Sequence, residues 1–142
     1  MSRKWLPSFS ELIDRLSIHQ LKEVFLKEHK DKYAREMQDI VHDLDLIIKE
    51  KDVKMTGDLI RCVIALAEIN THIWYNESNV RKGEEQNFHL LALTHGLNGI
   101  RCRIGNQILE LINDLSRQEW KTDCLAAEFK DWDMSVGKDE KK

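Results

Sequence analysis

Proline is nearly missing from this chain, occurring once, at Pro7. No segment alternates apolar and polar residues as a half-buried strand does. No run approaches the ~18 apolar residues of a membrane-spanning helix, and Met1–Ser10 has basic residues but no apolar core after them like that of a signal peptide. Cysteine is sparse and odd in number, Cys62, Cys102 and Cys124, with no CxxC spacing. These residues read as small hydrophobes in a reducing compartment, which points to the cytoplasm. Basic excess is absent too. With a formal charge of -3 and no Lys/Arg cluster outside the mixed-sign tail, nothing draws nucleic acid or an acidic membrane surface. There is no Gly-rich phosphate loop, no H-E-x-x-H zinc pattern and no nucleophile elbow.

What is present is a globular mixture, 42% apolar and 33% charged over 142 residues, enough for one core and too little for two. The apolar residues recur at helical spacing. A first helix opens at Ser8-Phe9-Ser10-Glu11, a capping-box pattern, and continues through Leu12, Ile13, Leu16, Leu21, Val24 and Phe25. A second carries Tyr33, Met37, Ile40, Val41, Leu44, Ile47 and Ile48. Carrying about 100° per residue across Glu28–Asp31 puts the two stripes on nearly opposite sides, so a break is expected there. Polar Lys49–Gly57 leads to a third helix, about Asp58–Lys82, with Thr56 or Asp58 as N-cap and Gly83 as C-terminal cap. A fourth begins at Glu84-Glu85 and runs to about Glu119. Gly96, Gly99 and Gly105 inside it suggest a kink or the close approach of another helix. A short amphipathic segment with Leu125, Phe129 and Trp132 follows, and Asp133–Lys142 is too polar to pack. The expectation is an all-α, antiparallel four-helix bundle over residues 1–132, with a short C-terminal helix and a mobile tail at 133–142. Long helices in so small a chain leave apolar surface over, which suits a homodimer.

The informative feature is polarity on the apolar faces. In the third helix Leu59, Val63, Leu66, Ala67, Ile73 and Val80 define a stripe, and Asn70, Trp74, Glu77 and Arg81 project into it on successive turns. In the fourth, Arg101 lies near the middle of the stripe of Leu90, Leu97, Ile104, Ile108, Leu111 and Leu115, with Asn98 one turn before it. In the first, Asp14 and Ser17 share a side with Ile13, Leu21 and Phe25, flanked by Glu11. A chain selected for stability alone would place Leu or Ile at such positions, because burying an unpaired charge is costly. Glu77 and Arg81 have the spacing of a helical ion pair, which leaves Arg101 for Asp14.

Two readings stay open on these residues. One is a structural network that fixes helix register in a non-enzymatic interaction or oligomerisation module. The other is a polar cleft that binds an anion or phosphate through Arg81 and Arg101, with Asp14, Asn70, Trp74, Glu77 and Asn98 around it. In the second reading Glu11, Asp14 and Glu77 are the candidate ligands for Mg²⁺. An all-α, Mg²⁺-dependent nucleoside triphosphate pyrophosphohydrolase is a third reading, carried by Glu11-x-x-Asp14. No clean E-x-x-E partner for that pair appears on the second or third helix.

The run Glu11-Leu12-Ile13-Asp14-Arg15-Leu16-Ser17-Ile18 resembles the E-L-I-D-[KR]-[LI]-[ST]-I opening of a group of small helical proteins of unassigned activity, found beside glycosyltransferase and surface-polysaccharide genes. Leu66…Asn70, Ile73-Trp74, Glu77 and Val80-Arg81 are similar to that group's L-x-x-[IV]-N-x-x-[LI]-W-x-x-E-x-x-[IL]-R run, and Asn98-x-x-Arg101 to its later N-x-x-R element. Where the group often carries further acids, this chain has Tyr75 and Ser78. The resemblance implies a sugar-nucleotide or phosphate theme, or an accessory role beside enzymes.

Overall fold

The computed structural model describes residues 6–81, 87–114 and 134–135, with side chains at all of these except 79–81 and 87–91. The described chain is all-α: α1 spans Phe9–Phe25, α2 Lys30–Glu50, α3 Gly57–Arg81 and α4 Asn87–Leu111, with one 3₁₀ turn at Lys27–His29. Gly83, the Glu84-Glu85 start and the expected C-terminal segment around Leu125, Phe129 and Trp132 lie outside the described residues.

Local chemistry sets the boundaries. Ser8 caps α1, its Oγ accepting from the Glu11 backbone N–H at 3.2 Å, and Thr56 caps α3, its Oγ1 accepting from Leu59 N–H at 3.2 Å. At the break between the first two helices Leu26 leaves helical geometry, with φ -115° and ψ 77°. Two helices end in the same way. After α2, Asp52 takes a left-handed φ of 49° and Val53 N–H reaches back to the Ile48 carbonyl at 3.0 Å. After α4, Asn113 takes φ 57°, while Asn113 and Asp114 donate to Glu110 and Leu109 at 3.1 and 2.8 Å. These bonds satisfy carbonyls that have no partner within the helix. The fourth helix therefore stops at Leu111, short of the Glu119 expected from periodicity, because Asn113 supplies a left-handed stop.

Helices α3 and α4 pack along one another, α1 lies against both, and α2 packs along α1 alone among the described helices. The core gathers Phe9, Leu12 and Ile13 from α1, Leu44 from α2, Leu59, Cys62, Leu66 and Ile73 from α3, and Leu97, Ile100, Ile104 and Ile108 from α4. Met134 joins it at 9% exposure, its carbonyl accepting from Gln107 Nε2 at 3.4 Å, and the Ser135 hydroxyl meets Arg61 at 3.3 Å. Met134 and Ser135 thus depart from the expectation of an unpacked tail over 133–142, whose other residues lie outside the described ones. Val24 and Phe25 also depart from the expected stripe, at 56% and 46% exposed. They lie at the far end of α1, where its contact with the core has run out.

The cysteines divide. Cys62 is free and fully buried, and burial followed by the charge of Asp58 pushes its thiol up from the ordinary range against the opposing pull of Arg61. Cys102 is disulfide-bonded, so the reading of all three cysteines as small hydrophobes is corrected there, and the inference of a reducing compartment loses its basis. No described helix is long and apolar enough to cross a membrane.

A polar clasp holds α2 to α1. His19 has its Nδ1 2.8 Å from the Arg15 carbonyl and its Nε2 2.6 Å from Glu36 Oε2, while its ring meets Tyr33 edge-on at 6.2 Å between centroids. Because α2 packs chiefly along α1, His19→Ala should cost about 1–2 kcal/mol in urea denaturation and speed amide exchange in α2 more than in α3. At Gly105 a methyl group would lie 3.6 Å from Ser10 Oγ, an ordinary contact. Gly105→Ala is therefore expected to stabilise the protein by about 0.5–1 kcal/mol, read from the denaturation midpoint.

Candidate functional site

Asp14, on the first helix, stands at the meeting point of three. Arg101 of α4 donates from Nε to Asp14 Oδ1 at 2.8 Å and from Nη2 to Asp14 Oδ2 in a close contact, which makes a two-pronged fork on one carboxylate. Asn70 of α3 donates through Nδ2 to Asp14 Oδ1 at 2.9 Å and to Ser17 Oγ at 2.6 Å. The Ser17 hydroxyl in turn donates to the Asp14 carbonyl at 2.8 Å. Asn98, one turn before Arg101, offers Oδ1 to Arg101 Nη1 at the long distance of 3.4 Å. Asp14, Ser17, Asn70, Asn98 and Arg101 thus come together from positions 87 residues apart at the extreme.

The cluster is only partly sealed. The Asp14 side chain is 19% exposed and that of Arg101 31%, whereas Asn70 is buried at 3%. Hydrogen bonding to Asp14 holds the Arg101 guanidinium above its usual range against the downward pull of burial, and the charges of Asp14 and Glu77 add to the effect. Arg101 is consequently cationic wherever the protein is folded. Asp14 occupies one edge of the guanidinium. On the opposite edge, Nη1 has among the described residues one partner, the long bond to Asn98.

Glu77 and Trp74 belong to the open side. Glu77 lies about five turns after Leu59 on the same line of α3, yet Leu59 is 1% exposed and Glu77 is exposed. The angular projection that placed Glu77 on the core side is sound, and the expectation that the core would cover it is corrected. The reason lies in the helix that should do the covering. At 17 and 25 residues, α1 is about 25 Å long and α3 about 37 Å. Helix α1 meets α3 at Asn70 through Asp14, and its last residue, Phe25, packs edge-on against Tyr75 at 5.8 Å between centroids. Tyr75 points about 140° round α3 from Asn70. On α3, Trp74, one turn above Asn70, is half-buried, and Glu77 higher still is exposed.

Other expected residues fall elsewhere. The Arg81 side chain, and with it the Glu77–Arg81 pair, lies outside the described side chains. The set Glu11, Asp14 and Glu77 does not assemble: among the described residues no three His, Cys, Asp or Glu side chains are grouped to hold a metal ion. Half-buried Glu11 sits in the first turn of α1 with its backbone N–H on the cap, and Asp14 faces a guanidinium.

The sequence projection also passed over Asn76, buried at 9% with an Nδ2 that meets no acceptor. Its signal was the alternating three-and-four spacing of Leu59, Cys62, Leu66, Ile73 and Asn76. Glu36, the partner of His19, had no local signal, because it belongs to another helix. No family model, curated protein or solved structure matches this chain.

The pair at the apex is expected to act as a unit. Asp14→Leu and Arg101→Leu should each cost about 3 kcal/mol by stranding a partly buried charge, while the double variant should cost clearly less than their sum. Chemical denaturation of the four proteins measures the coupling, and simple additivity would show that the two side chains do not act together.

Proposed function

We propose that the partly exposed polar cluster where α1, α3 and α4 meet recognises a phosphorylated or anionic small molecule, a nucleotide or nucleotide sugar, with Arg101 as its principal anchor. The observation that carries this reading is the fork on Asp14. A guanidinium held rigidly along one edge, partly open to solvent and kept cationic by its partner presents its remaining donors without further loss of side-chain freedom. Asn98 lies beside that edge, and half-buried Trp74 and exposed Glu77 follow Asn70 on α3. The resemblance of the Asp14, Asn70–Trp74–Glu77 and Asn98–Arg101 segments to proteins encoded near glycosyltransferase genes supports the same ligand chemistry.

A second reading has its own observation. Asp14 and Arg101 cancel in charge and tie three helices together, as a register-setting network in an interaction or homodimer module would. Val24, Phe25, Leu26 and Tyr75, each at least 40% exposed, would then be the surface in use.

A thermal-shift screen of nucleotides, nucleotide sugars and sugar phosphates, with and without Mg²⁺, separates the two. A binding site should raise Tm by about 5 °C at ligand concentrations near one hundred times Kd. The shift should shrink in a folded Arg101→Lys variant, which keeps the charge and loses the fork. Indifference to every compound, with a Tm that climbs with protein concentration, would sink the ligand reading and favour the module.

A further inference from the structure

We infer that the groove between α1 and α2 is a second binding site, independent of the polar cluster around Arg101, and that it takes a small amine, one ammonium group on an apolar body, with Glu23 as the counter-charge.

The register of the two helices makes the groove. Glu36 meets His19 at 2.6 Å, and the Lys22 ammonium lies 5.6 Å from the centre of the Tyr33 ring. Three residues forward on α1 are therefore matched by three backward on α2. The same register sets Glu23 opposite Ala34, Gln20 opposite Met37 and Leu16 opposite Val41. These side chains, with Gln38, line an open hollow of about 430 Å³. Ala34 is too small to fill the space facing Glu23. Met37 gives a buried apolar floor, and Val41 stays 43% exposed at the far end.

Charge complementarity identifies the occupant. Glu23 is half-buried and, among the described residues, makes no hydrogen bond or ion pair. The cations near it in sequence are placed elsewhere: Lys22 lies over Tyr33, while Lys27 and Arg35 line a separate hollow at the turn between the helices. Among the described residues that line the groove, Glu23 alone is charged. A carboxylate accepts hydrogen bonds and cannot donate them, so its complement is a cation that brings its own donors, as an ammonium does. The amides of Gln20 and Gln38 at the next level can both give and accept. Beyond them Leu16, Met37 and Val41 suit an apolar body. Seven residues of α1 separate Glu23 from Leu16, about 10 Å, and the volume is that of a small-molecule site. An acid of the same shape would be repelled by Glu23.

The test is a titration of the isotope-labelled full chain with phenylbutylamine and with its uncharged counterpart phenylbutanol, followed by amide chemical shifts at low ionic strength, where charge is least screened. Expected are shifts concentrated at Leu16–Glu23 and Ala34–Val41, with the amine bound about fivefold more tightly than the alcohol, about 1 kcal/mol. Glu23→Gln should lower the amine to the affinity of the alcohol. Ala34→Leu keeps a good helix former and fills the space facing Glu23, so it should abolish binding of both. Unchanged shifts in α3 and α4 show that each variant is folded. Equal affinities for the wild type, or a preference that Glu23→Gln leaves intact, would overturn the assignment of an amine. Shifts absent from the groove, or indifferent to Ala34→Leu, would overturn the site itself.

Discussion

The fold turns on one ion pair. Asp14 and Arg101 sit where three helices converge, and neither could occupy that place alone, because a single charge drawn this far from water would carry an uncompensated desolvation cost. Together, with Asn70 supplying a further donor, they specify how α1 lies against the α3–α4 pair. Helix α2 runs along α1, sends Leu44 into the shared core, and at its end Lys51 pairs with Asp114 after α4 at 3.4 Å. Errors in the seating of α1 would thus pass to α2 through the clasp of His19 and Glu36.

The same pair marks the boundary between core and surface. Before Asp14, the residues of α1 go into apolar packing: Phe9, Leu12 and Ile13 are buried, and Ser10 lies against Gly105. After it, Val24 and Phe25 at the end of the helix are exposed, with Phe25 edge-on to Tyr75. The polar residues that look misplaced in the third helix are of two kinds. Asn70 is a buried member of the network, while Glu77 stands where the packing opens.

Helical periodicity and capping chemistry made most of the architecture legible. Ser8, Thr56 and the break near Leu26 are short-range features, and short-range rules located them to within a few residues. Asp14, Asn70, Asn98 and Arg101 were also recognisable, since a polar residue within an apolar stripe is visible in a helical projection. The end of α4 was missed because apolar residues continue past Asn113 in the sequence, and periodicity outweighed a single left-handed stop. Met134 was missed because composition averages over a segment and hides one anchoring side chain. Cys102 was misread because the pairing of cysteines distant in sequence is a property of the folded chain.

By itself, the sequence determined the helices, which depend on contacts within a turn or two, and the list of polar residues directed at the core. Only the tertiary structure decided which of those residues close on one another and which stay open. That choice depends on which stretch of each helix has a neighbour: Asp14 meets Arg101 where α1 approaches α4, and Glu77, on the same line of α3 as buried Leu59, stays exposed. A helical wheel records the angle of a side chain around its own axis. Whether a neighbouring helix covers that angle at that height is settled by long-range packing, and no local pattern encodes it.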